Sequence, residues 1–212
     1  MRMDCIAALI AYLLGSIPFG YVLVRLFRKE DIRQTGSGNI GATNVIRSGS
    51  RWLGILTLLL DLGKGFLAVI IARHLATGAS AIETASLGAL FAVIGHVFPI
   101  WLRGKGGKGV ATALGVFLAL APLAAVLSLG VFIVIFLFTR YVSLASILAA
   151  ASFPVWIWIA ARWLNLHYGQ GPVFVASTLL VPAIILIKHE KNVKRLLHGT
   201  EFRFGNKESS AA

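Results

Sequence analysis

The chain has 212 residues, of which 58% are hydrophobic and 13% are charged, and its mean hydropathy is +0.84. A soluble core of this length could not hide so much apolar surface, so the composition excludes a soluble globular domain and predicts a protein of the lipid bilayer. The formal net charge of +12 comes from Lys and Arg bunched between apolar runs, a pattern typical of segments that meet an anionic leaflet or anionic substrates.

Apolar runs near the roughly 20 residues that a helix needs to cross hydrocarbon recur along the chain. They lie at 5–27, 52–74, 84–102, 110–138, 142–164 and 172–187. The run at 110–138 would form a helix of about 43 Å, which exceeds the roughly 30 Å of a bilayer core. Because Pro122 near its centre removes a backbone donor, we predict two helices there, at 110–120 and 122–138.

Seven spans put the basic loop 28–51 and the basic tail 188–212 on one side of the membrane, as the positive-inside rule requires, whereas six would put them on opposite sides. The sequence therefore predicts an all-α polytopic membrane protein that forms a single domain, with its N-terminus outside and its C-terminus in the cytoplasm. The segment 110–120 is too short to cross alone, so we predict a half-helix packed among its neighbours.

The first of three polar segments, 36–44, reads GSGNIGATN. It matches the spacing G-x-G-x-x-G, but no strand or βαβ unit precedes it, so a dinucleotide fold is not expected. Its glycines let the backbone approach a ligand, and Arg47 can clamp a phosphate or carboxylate with two hydrogen bonds. The alternative is a plain turn and helix cap. The candidate ligand-binding residues are Ser37, Gly38, Asn39, Asn44 and Arg47.

The second polar segment, 104–109, reads GKGGKG and runs directly into an apolar helix. Glycine-rich backbone offers unencumbered N–H groups, and the helix N-terminus and two lysines would face the same anion. It is not a Walker A loop, because Lys108 is followed by Gly109 rather than Ser or Thr. Close helix packing would explain the glycines but not the lysines. The predicted phosphate contacts are Gly104, Lys105, Gly106, Gly107, Lys108 and Gly109.

The third polar segment, 188–195, reads KHEKNVKR and predicts a short helix that ends before Gly199. His189 and Asn192 are three residues apart and share one face, beside a basic stripe in which Lys188 and Arg195 are predicted phosphate contacts. The alternative is a basic tail that rests on lipid headgroups.

Asp61 and Lys64 lie inside the second predicted span, where ionisable groups are costly. Because they are three residues apart on a helix, we expect them to pair with each other in a structural role.

The strings GSGNIGATNV, GKGGKGVAT and KHEKNVKRLLHGTE, in this order, resemble the motifs of the bacterial acyl-phosphate:glycerol-3-phosphate acyltransferases of the PlsY type. The resemblance extends from the first helix to Glu201. It implies a seven-helix enzyme of the bacterial inner membrane with its active site on the cytoplasmic side. The implied reaction moves a fatty acyl group from acyl phosphate to the 1-hydroxyl of glycerol 3-phosphate, which gives lysophosphatidic acid and inorganic phosphate early in phospholipid biosynthesis.

The same resemblance implies substrate-binding or catalytic roles for Ser37, Arg47, Lys108, His189 and Asn192, and a structural role for Glu201. No cofactor or metal ion is expected. The expected partners are the two substrates and the lipid bilayer, without nucleic acid, while the oligomeric state and acyl-chain preference stay open.

The residues leave the proton acceptor for the attacking hydroxyl open among His189, Ser37 as a relay or nucleophile, and the donor phosphate. No carboxylate is placed to complete a Ser-His-Asp triad, so we favour direct attack on the acyl group. The signature of the soluble-type acyl-CoA transferases is a histidine with an aspartate five residues later, and none of the 5 histidines has one. Acyl phosphate is therefore a better hypothesis for the donor than acyl-CoA. The alternative function is a transporter or channel for phosphate-like anions, although the two halves show no convincing repeat.

Overall fold

The computed structural model of the protein describes residues 2–76 and 80–205, and every regular element in these ranges is helical, which confirms the all-α class. The helices are α1 (Arg2–Ser16), α2 (Phe19–Arg28), α3 (Ala42–Arg47), α4 (Arg51–His74), α5 (Ser80–Val97), α6 (Val110–Leu120), α7 (Pro122–Thr139), α8 (Val142–Trp163), α9 (Pro172–Lys188) and α10 (Glu190–Leu197). Single 3₁₀ turns lie at Ile32–Gln34 and Ile100–Leu102.

Within the described ranges, 5 helical segments are long and apolar enough to cross a bilayer. They are Met3–Arg28, Arg51–His74, Ser80–Leu102, Pro122–Thr139 and Val142–Trp163. The pair α9 and α10, bent by 52°, gives a sixth if it counts as one span, and α6 has only 11 residues. These helices support a polytopic membrane protein, while the count of seven spans and the orientation of the termini stay predictions.

The first span, near the predicted 5–27, consists of two helices because the chain breaks at Ile17 and Pro18 between α1 and α2. The regular helical hydrogen bonds are interrupted at this break, and the carbonyl O of Ile17, which accepts from the amide of Phe19 at 3.1 Å, has a second lone pair for a side-chain donor. Lys64 Nζ donates to the carbonyl O of Ile17 at 2.7 Å, and it lies 2.7 Å from Asp61 Oδ1. The predicted pairing of Asp61 with Lys64 is therefore present, and the lysine also satisfies the break in the neighbouring helix.

Glycines allow the inner helices to approach closely. A Cβ at Gly95 on α5 would collide with the carbonyl O of Tyr12 on α1, and one at Gly115 on α6 would collide with that of Leu62 on α4. Backbones that meet in this way are typical of helix packing in membranes. The short α6 is thus held inside the bundle against α4, and α7 begins at Pro122, where the sequence predicted the run to divide.

The helices α7 and α8 pack side by side as a hairpin whose turn is Arg140 and Tyr141. Their outer faces carry large exposed apolar side chains, such as Leu137, Phe138 and Trp158. In a membrane these faces meet lipid, so the hairpin separates the interior of the bundle from the bilayer.

Candidate active site

The three polar segments meet at one end of the helix bundle, which we call the polar end. There they line a single cavity of about 510 Å³. Its polar lining includes Ser37, Asn39, Thr43, Asn44, Arg47, Lys108, His189, Asn192, Arg195 and Glu201. The fold therefore brings together side chains from segments that are far apart in the chain.

The first polar segment is organised by the buried side chain of Asn44. Asn44 Oδ1 accepts from the amide of Ser37 at 2.8 Å, and Asn44 Nδ2 lies 2.8 Å from the carbonyl O of Asn39 and 3.0 Å from that of Thr35. An amide side chain with two donors is fully used by such partners. Asn44 thus holds the loop in shape, whereas the sequence predicted that it contacts phosphate.

Arg47 ends α3 and is half-buried at the cavity wall. Its guanidinium carbon lies 4.1 Å from the ring centroid of Phe202, a stacking contact from the C-terminal segment. Burial lowers the pKa of Arg47, the charge of Glu201 raises it and that of Arg195 lowers it. An arginine nevertheless keeps its proton in proteins, so Arg47 supplies a fixed positive charge with several donors.

The second polar segment departs from its prediction, because most of its amides are already used. The amides of Gly104 and Lys105 donate to the carbonyls of Pro99 and Leu102, at 2.9 and 3.1 Å. Those of Gly106 and Gly107 donate to the carbonyls of Val97 and His96, at 3.2 and 3.1 Å. These four residues were predicted to wrap phosphate with free backbone N–H groups. Their hydrogen bonds instead fasten the loop to the end of α5 and to the turn that follows it.

Lys108 is the lysine of this loop that reaches the cavity. Its Nζ donates to Asn192 Oδ1 at 2.5 Å, which joins the second and third polar segments. Burial, opposed in part by the Glu201 carboxylate and reinforced by the charges of Arg195 and Arg47, lowers the pKa of Lys108 to about 8. The ammonium group is therefore close to losing its proton in mildly alkaline solution. Gly109, at φ +86°, then turns the chain into α6.

His189 lies buried at the junction of α9 and α10. Its Nδ1 is 2.7 Å from the carbonyl O of Ile185, and because a carbonyl only accepts, Nδ1 carries the proton and Nε2 keeps a lone pair. Burial, reinforced by the charge of Lys108, lowers the pKa of His189 to about 4. The imidazole is thus neutral at physiological pH and able to accept a proton.

Asn192 and Arg195 on α10 share the carboxylate of Glu201. Asn192 Nδ2 donates to Glu201 Oε1 at 2.7 Å, and Arg195 Nε donates to Glu201 Oε2 at 2.7 Å. Together with the bond from Lys108, these contacts form a continuous chain of hydrogen bonds. Glu201 therefore orients the groups around it, and the structural role that the resemblance implies for it stays a prediction.

Some predicted site residues are not brought to the cavity. Lys188 Nζ lies 4.9 Å from the ring centroid of Phe98, and Lys105 is exposed. Within the described part of the chain, the predicted binding residues that do not line the cavity are Gly38, Gly104, Lys105, Gly106, Gly107 and Lys188.

The lining also includes residues that were not among the predicted site residues, such as His96 and Phe202. His96 on α5 is buried beneath the glycine loop, with Nδ1 3.6 Å from Asp61 Oδ1, and a Cβ on Gly107 would collide with its Nε2. A histidine inside a predicted span is a signal that could have indicated it. Phe202 lies in the C-terminal segment, where nothing in the sequence indicates that the chain folds back over Arg47.

Away from the polar end, the cavity continues as a mostly apolar arm between α6, α7 and α8. Its large side chains are Leu114, Phe117, Leu129, Phe132, Phe136 and Phe153. At the polar end, the part of the cavity lined by Arg47, Lys108 and Arg195 is rich in cations and hydrogen-bond donors, and we call it the chamber. One cavity thus joins this cationic chamber to an apolar arm inside the bundle. Such a shape can hold an amphiphile with an anionic head and a hydrocarbon tail.

The chamber also contains the parts of a proton-transfer site. Nε2 of His189 can accept a proton, and Lys108 and Arg47 can stabilise negative charge nearby. Among the described residues, no hydrogen bond joins Ser37 to His189, so a nucleophile and its base are not preassembled.

Comparison with known proteins shows what this arrangement resembles. The sequence model of the family described as Glycerol-3-phosphate acyltransferase matches residues 5–199. A glycerol-3-phosphate acyltransferase of Geobacter sulfurreducens is 47% identical over 204 residues, which cover 96% of this chain and 99% of the relative. The corresponding protein of Trichlorobacter lovleyi is 49% identical over 194 residues, which cover 92% and 94%.

Two solved structures share the fold. The glycerol 3-phosphate form of PlsY (YgiH), an integral membrane glycerol 3-phosphate acyltransferase, superposes with a TM-score of 0.86 at 39% identity over 99% of both chains. Its lysophosphatidic acid form gives a TM-score of 0.81 at 40% identity over 97% of both chains.

Proposed function

Because the chain belongs to the glycerol-3-phosphate acyltransferase family, we propose that it transfers a fatty acyl group from acyl phosphate to the 1-hydroxyl of glycerol 3-phosphate. The products are lysophosphatidic acid and inorganic phosphate. The observation that carries this proposal is the single cavity that joins a cationic chamber to an apolar arm. The glycerol 3-phosphate and lysophosphatidic acid forms of the solved relative support the same acceptor and product here.

The charges of the chamber suit two phosphorylated substrates. Each phosphate carries up to about two negative charges, so bound donor and acceptor repel each other unless cations lie between them. Arg47, Lys108 and Arg195 line the cavity, and Glu201 offsets part of their charge. We assign these cations to the substrate phosphates and the apolar arm to the acyl chain.

Acyl phosphate suits this site because it already contains a good leaving group. The enzyme then needs to position the acceptor hydroxyl and stabilise the charge that develops on the carbonyl oxygen and departing phosphate. The chamber is rich in cations and amides, and the carboxylate of Glu201 is held by Asn192 and Arg195. That composition supports electrostatic stabilisation and positioning rather than covalent catalysis.

In the proposed step, the 1-hydroxyl oxygen of glycerol 3-phosphate attacks the acyl carbonyl carbon while His189 Nε2 accepts its proton. The new ester C–O bond forms, the bond between the carbonyl carbon and the phosphate oxygen breaks, and His189 returns the proton to the departing phosphate. The low pKa of free His189 makes it a weak base before substrates bind. Bound phosphate offsets the charge of Lys108, which raises the basicity of the imidazole in the ternary complex.

The proposed function is tested with purified protein in detergent, supplied with glycerol 3-phosphate and either acyl phosphate or acyl-CoA. We expect lysophosphatidic acid from acyl phosphate and essentially none from acyl-CoA. Lys108→Met should abolish most of the activity, whereas Lys105→Met, in the same loop but exposed outside the cavity, should retain it. Equal turnover of acyl-CoA would refute the donor, and no product from either donor would refute the activity.

A further inference from the structure

The apolar arm has a measurable depth. On α7 its lining runs from Phe136, beside the polar end, to Ala125, and on α8 from Val142 to Phe153. Each stretch advances eleven residues along its helix, which is about 16 Å at about 1.5 Å per residue. The lining thus reaches the same depth on both helices of the hairpin.

Two aromatic rings lie at this depth. Phe117 on α6 and Phe153 on α8 stack with ring centroids 3.8 Å apart and planes inclined by 22°. Both rings are almost fully buried, at 4% and 3% exposure, although they line the cavity. Other residues therefore cover most of each ring, and only a small part of it borders the arm.

The interior beyond the pair is closed. Among the described residues, Leu120 and Ala121 follow Phe117 by about one turn and Ala124 lies next to Ala125, and all three are buried in the core and do not line the cavity. Trp156 and Ile157 on α8 pack against the same core. The arm consequently ends at the stacked rings, and protein interiors are packed too densely to admit further chain atoms there.

We propose that the stacked rings of Phe117 and Phe153 form the floor of the arm and set the longest acyl chain that the enzyme transfers efficiently. This inference rests on the proposed function, because it requires the acyl chain to occupy the arm. Chains that end above the floor gain affinity with each buried methylene, by about fourfold in the binding constant. A longer chain must bend, leave its end in the bilayer, or displace packed rings.

The test compares kcat/KM across a series of saturated acyl phosphates, with glycerol 3-phosphate as the acceptor. The wild-type enzyme should show a rise with chain length and then a cutoff. In Phe153→Ala and Phe117→Ala the cutoff should move to longer chains, and the ratio between a chain two methylenes past the wild-type cutoff and the chain at the cutoff should rise about tenfold. In Ala150→Leu, which adds bulk one turn above the floor, the cutoff should move to shorter chains.

Loss of a buried ring can reduce the folded fraction, so the readout is a ratio of two substrates measured in one preparation. That ratio does not depend on how much enzyme is folded. Phe153→Leu supplies a milder truncation, and Ala150→Leu tests the opposite direction without removing a core side chain. Phe132→Ala is the matched control, because it removes a ring from the wall of the arm and widens it without lengthening it, so the cutoff should stay in place.

The outcomes distinguish the two proposals. If the wild-type enzyme makes lysophosphatidic acid but Phe153→Leu, Phe153→Ala and Ala150→Leu all keep its cutoff, the floor is refuted and the proposed function stands. If the wild-type enzyme makes none with any chain length, the proposed function fails and the floor fails with it. A shift of the cutoff by Phe132→Ala as large as that by Phe153→Ala would also refute the floor, since width rather than depth would then control length.

Discussion

Lys108 Nζ donates a hydrogen bond of 2.5 Å to Asn192 Oδ1, across a separation of 84 positions in the sequence. The bond links the glycine-rich loop before α6 to the helix that follows α9. Through Asn192 it continues to Glu201 and then to Arg195. A single charged network therefore fixes the cations of the chamber relative to one another, and its members should respond together to a change in charge.

The first prediction concerns the fall of activity at high pH, which we call the alkaline limb of the pH–activity profile. Lys108 has a pKa of about 8 in the free enzyme, so it loses its positive charge, and with it the attraction to phosphate, as the pH rises through that value. We expect kcat/KM for glycerol 3-phosphate to fall above about pH 8, since this constant reports ionisations of the free enzyme. Lys108→Arg should move the fall to higher pH, because a guanidinium stays protonated. Lys105→Arg lies outside the cavity and should leave the alkaline limb unchanged. If Lys108→Arg had the same alkaline limb as the wild type, the assignment of this limb to Lys108 would be wrong.

The second prediction tests Glu201 as a positioning residue. Its carboxylate raises the pKa of Lys108, so in Glu201→Gln the alkaline limb should move to lower pH than in the wild type. It should also lower kcat several-fold, because Asn192 and Arg195 lose their shared acceptor. The control is Glu190→Gln, which breaks the exposed contact with Lys194 on the same helix. A variant that lost activity without any shift of the limb would show that Glu201 only supports the fold.

The third prediction concerns His189 as the proton acceptor. His189→Gln should lower kcat by about 10²–10⁴-fold with a small change in KM, the range expected for loss of a general base. His198→Gln is a matched control, because His198 Nδ1 also contacts the carbonyl four residues earlier but the side chain is exposed. Retention of more than a tenth of kcat in His189→Gln would favour the donor phosphate as the base.

The fourth prediction separates direct attack from a covalent route. Ser37 binds Asn44 through its backbone amide, and its side chain has no described bond to His189. Ser37→Ala should therefore keep a substantial share of kcat, and mass spectrometry of wild-type enzyme mixed with acyl phosphate alone should detect no acyl-enzyme. Ser48→Ala, whose hydroxyl bonds the carbonyl of Val45 outside the cavity, is the control. An acyl group on Ser37 would overturn direct attack.

The fifth prediction addresses stability within the membrane. Asp61→Asn would leave Lys64 buried without its counter-charge, at a cost of about 3–5 kcal/mol. Thermal unfolding in detergent micelles should show a large decrease in midpoint, and the double change Asp61→Asn with Lys64→Met should recover part of it. Lys194→Met, which breaks an exposed pair, should leave the midpoint nearly unchanged. If Asp61→Asn unfolded at the same midpoint temperature as the wild type, Lys64 would have to be uncharged in the folded protein.

The sequence predicted the features that depend on local pattern. Apolar runs indicated the long helices, and Pro122 indicated the division between α6 and α7, because a proline near the middle of a run too long for one span removes a backbone donor there. The pairing of Asp61 with Lys64 followed from helix periodicity alone. Such inferences need no knowledge of how distant segments pack.

Features that depend on tertiary packing could not be read in this way. The glycine loop looked free to bind phosphate, yet its amides meet carbonyls that only the end of α5 and the turn after it bring within reach. Asn44 looked like a ligand donor because its acceptors belong to a loop whose path the sequence does not show. The contact between Arg47 and Phe202 likewise depends on where the C-terminal segment returns.

The hydrogen bonds from Gly106 and Gly107 to the carbonyls of α5 have a consequence for each catalytic cycle. A mobile glycine-rich loop would lose conformational entropy whenever it closed on a substrate, and that loss would weaken binding. Here the ordering occurs once, during folding, so the ammonium group beside the loop is preorganised before either substrate arrives. The glycines then serve rigidity, although their usual association is with flexibility.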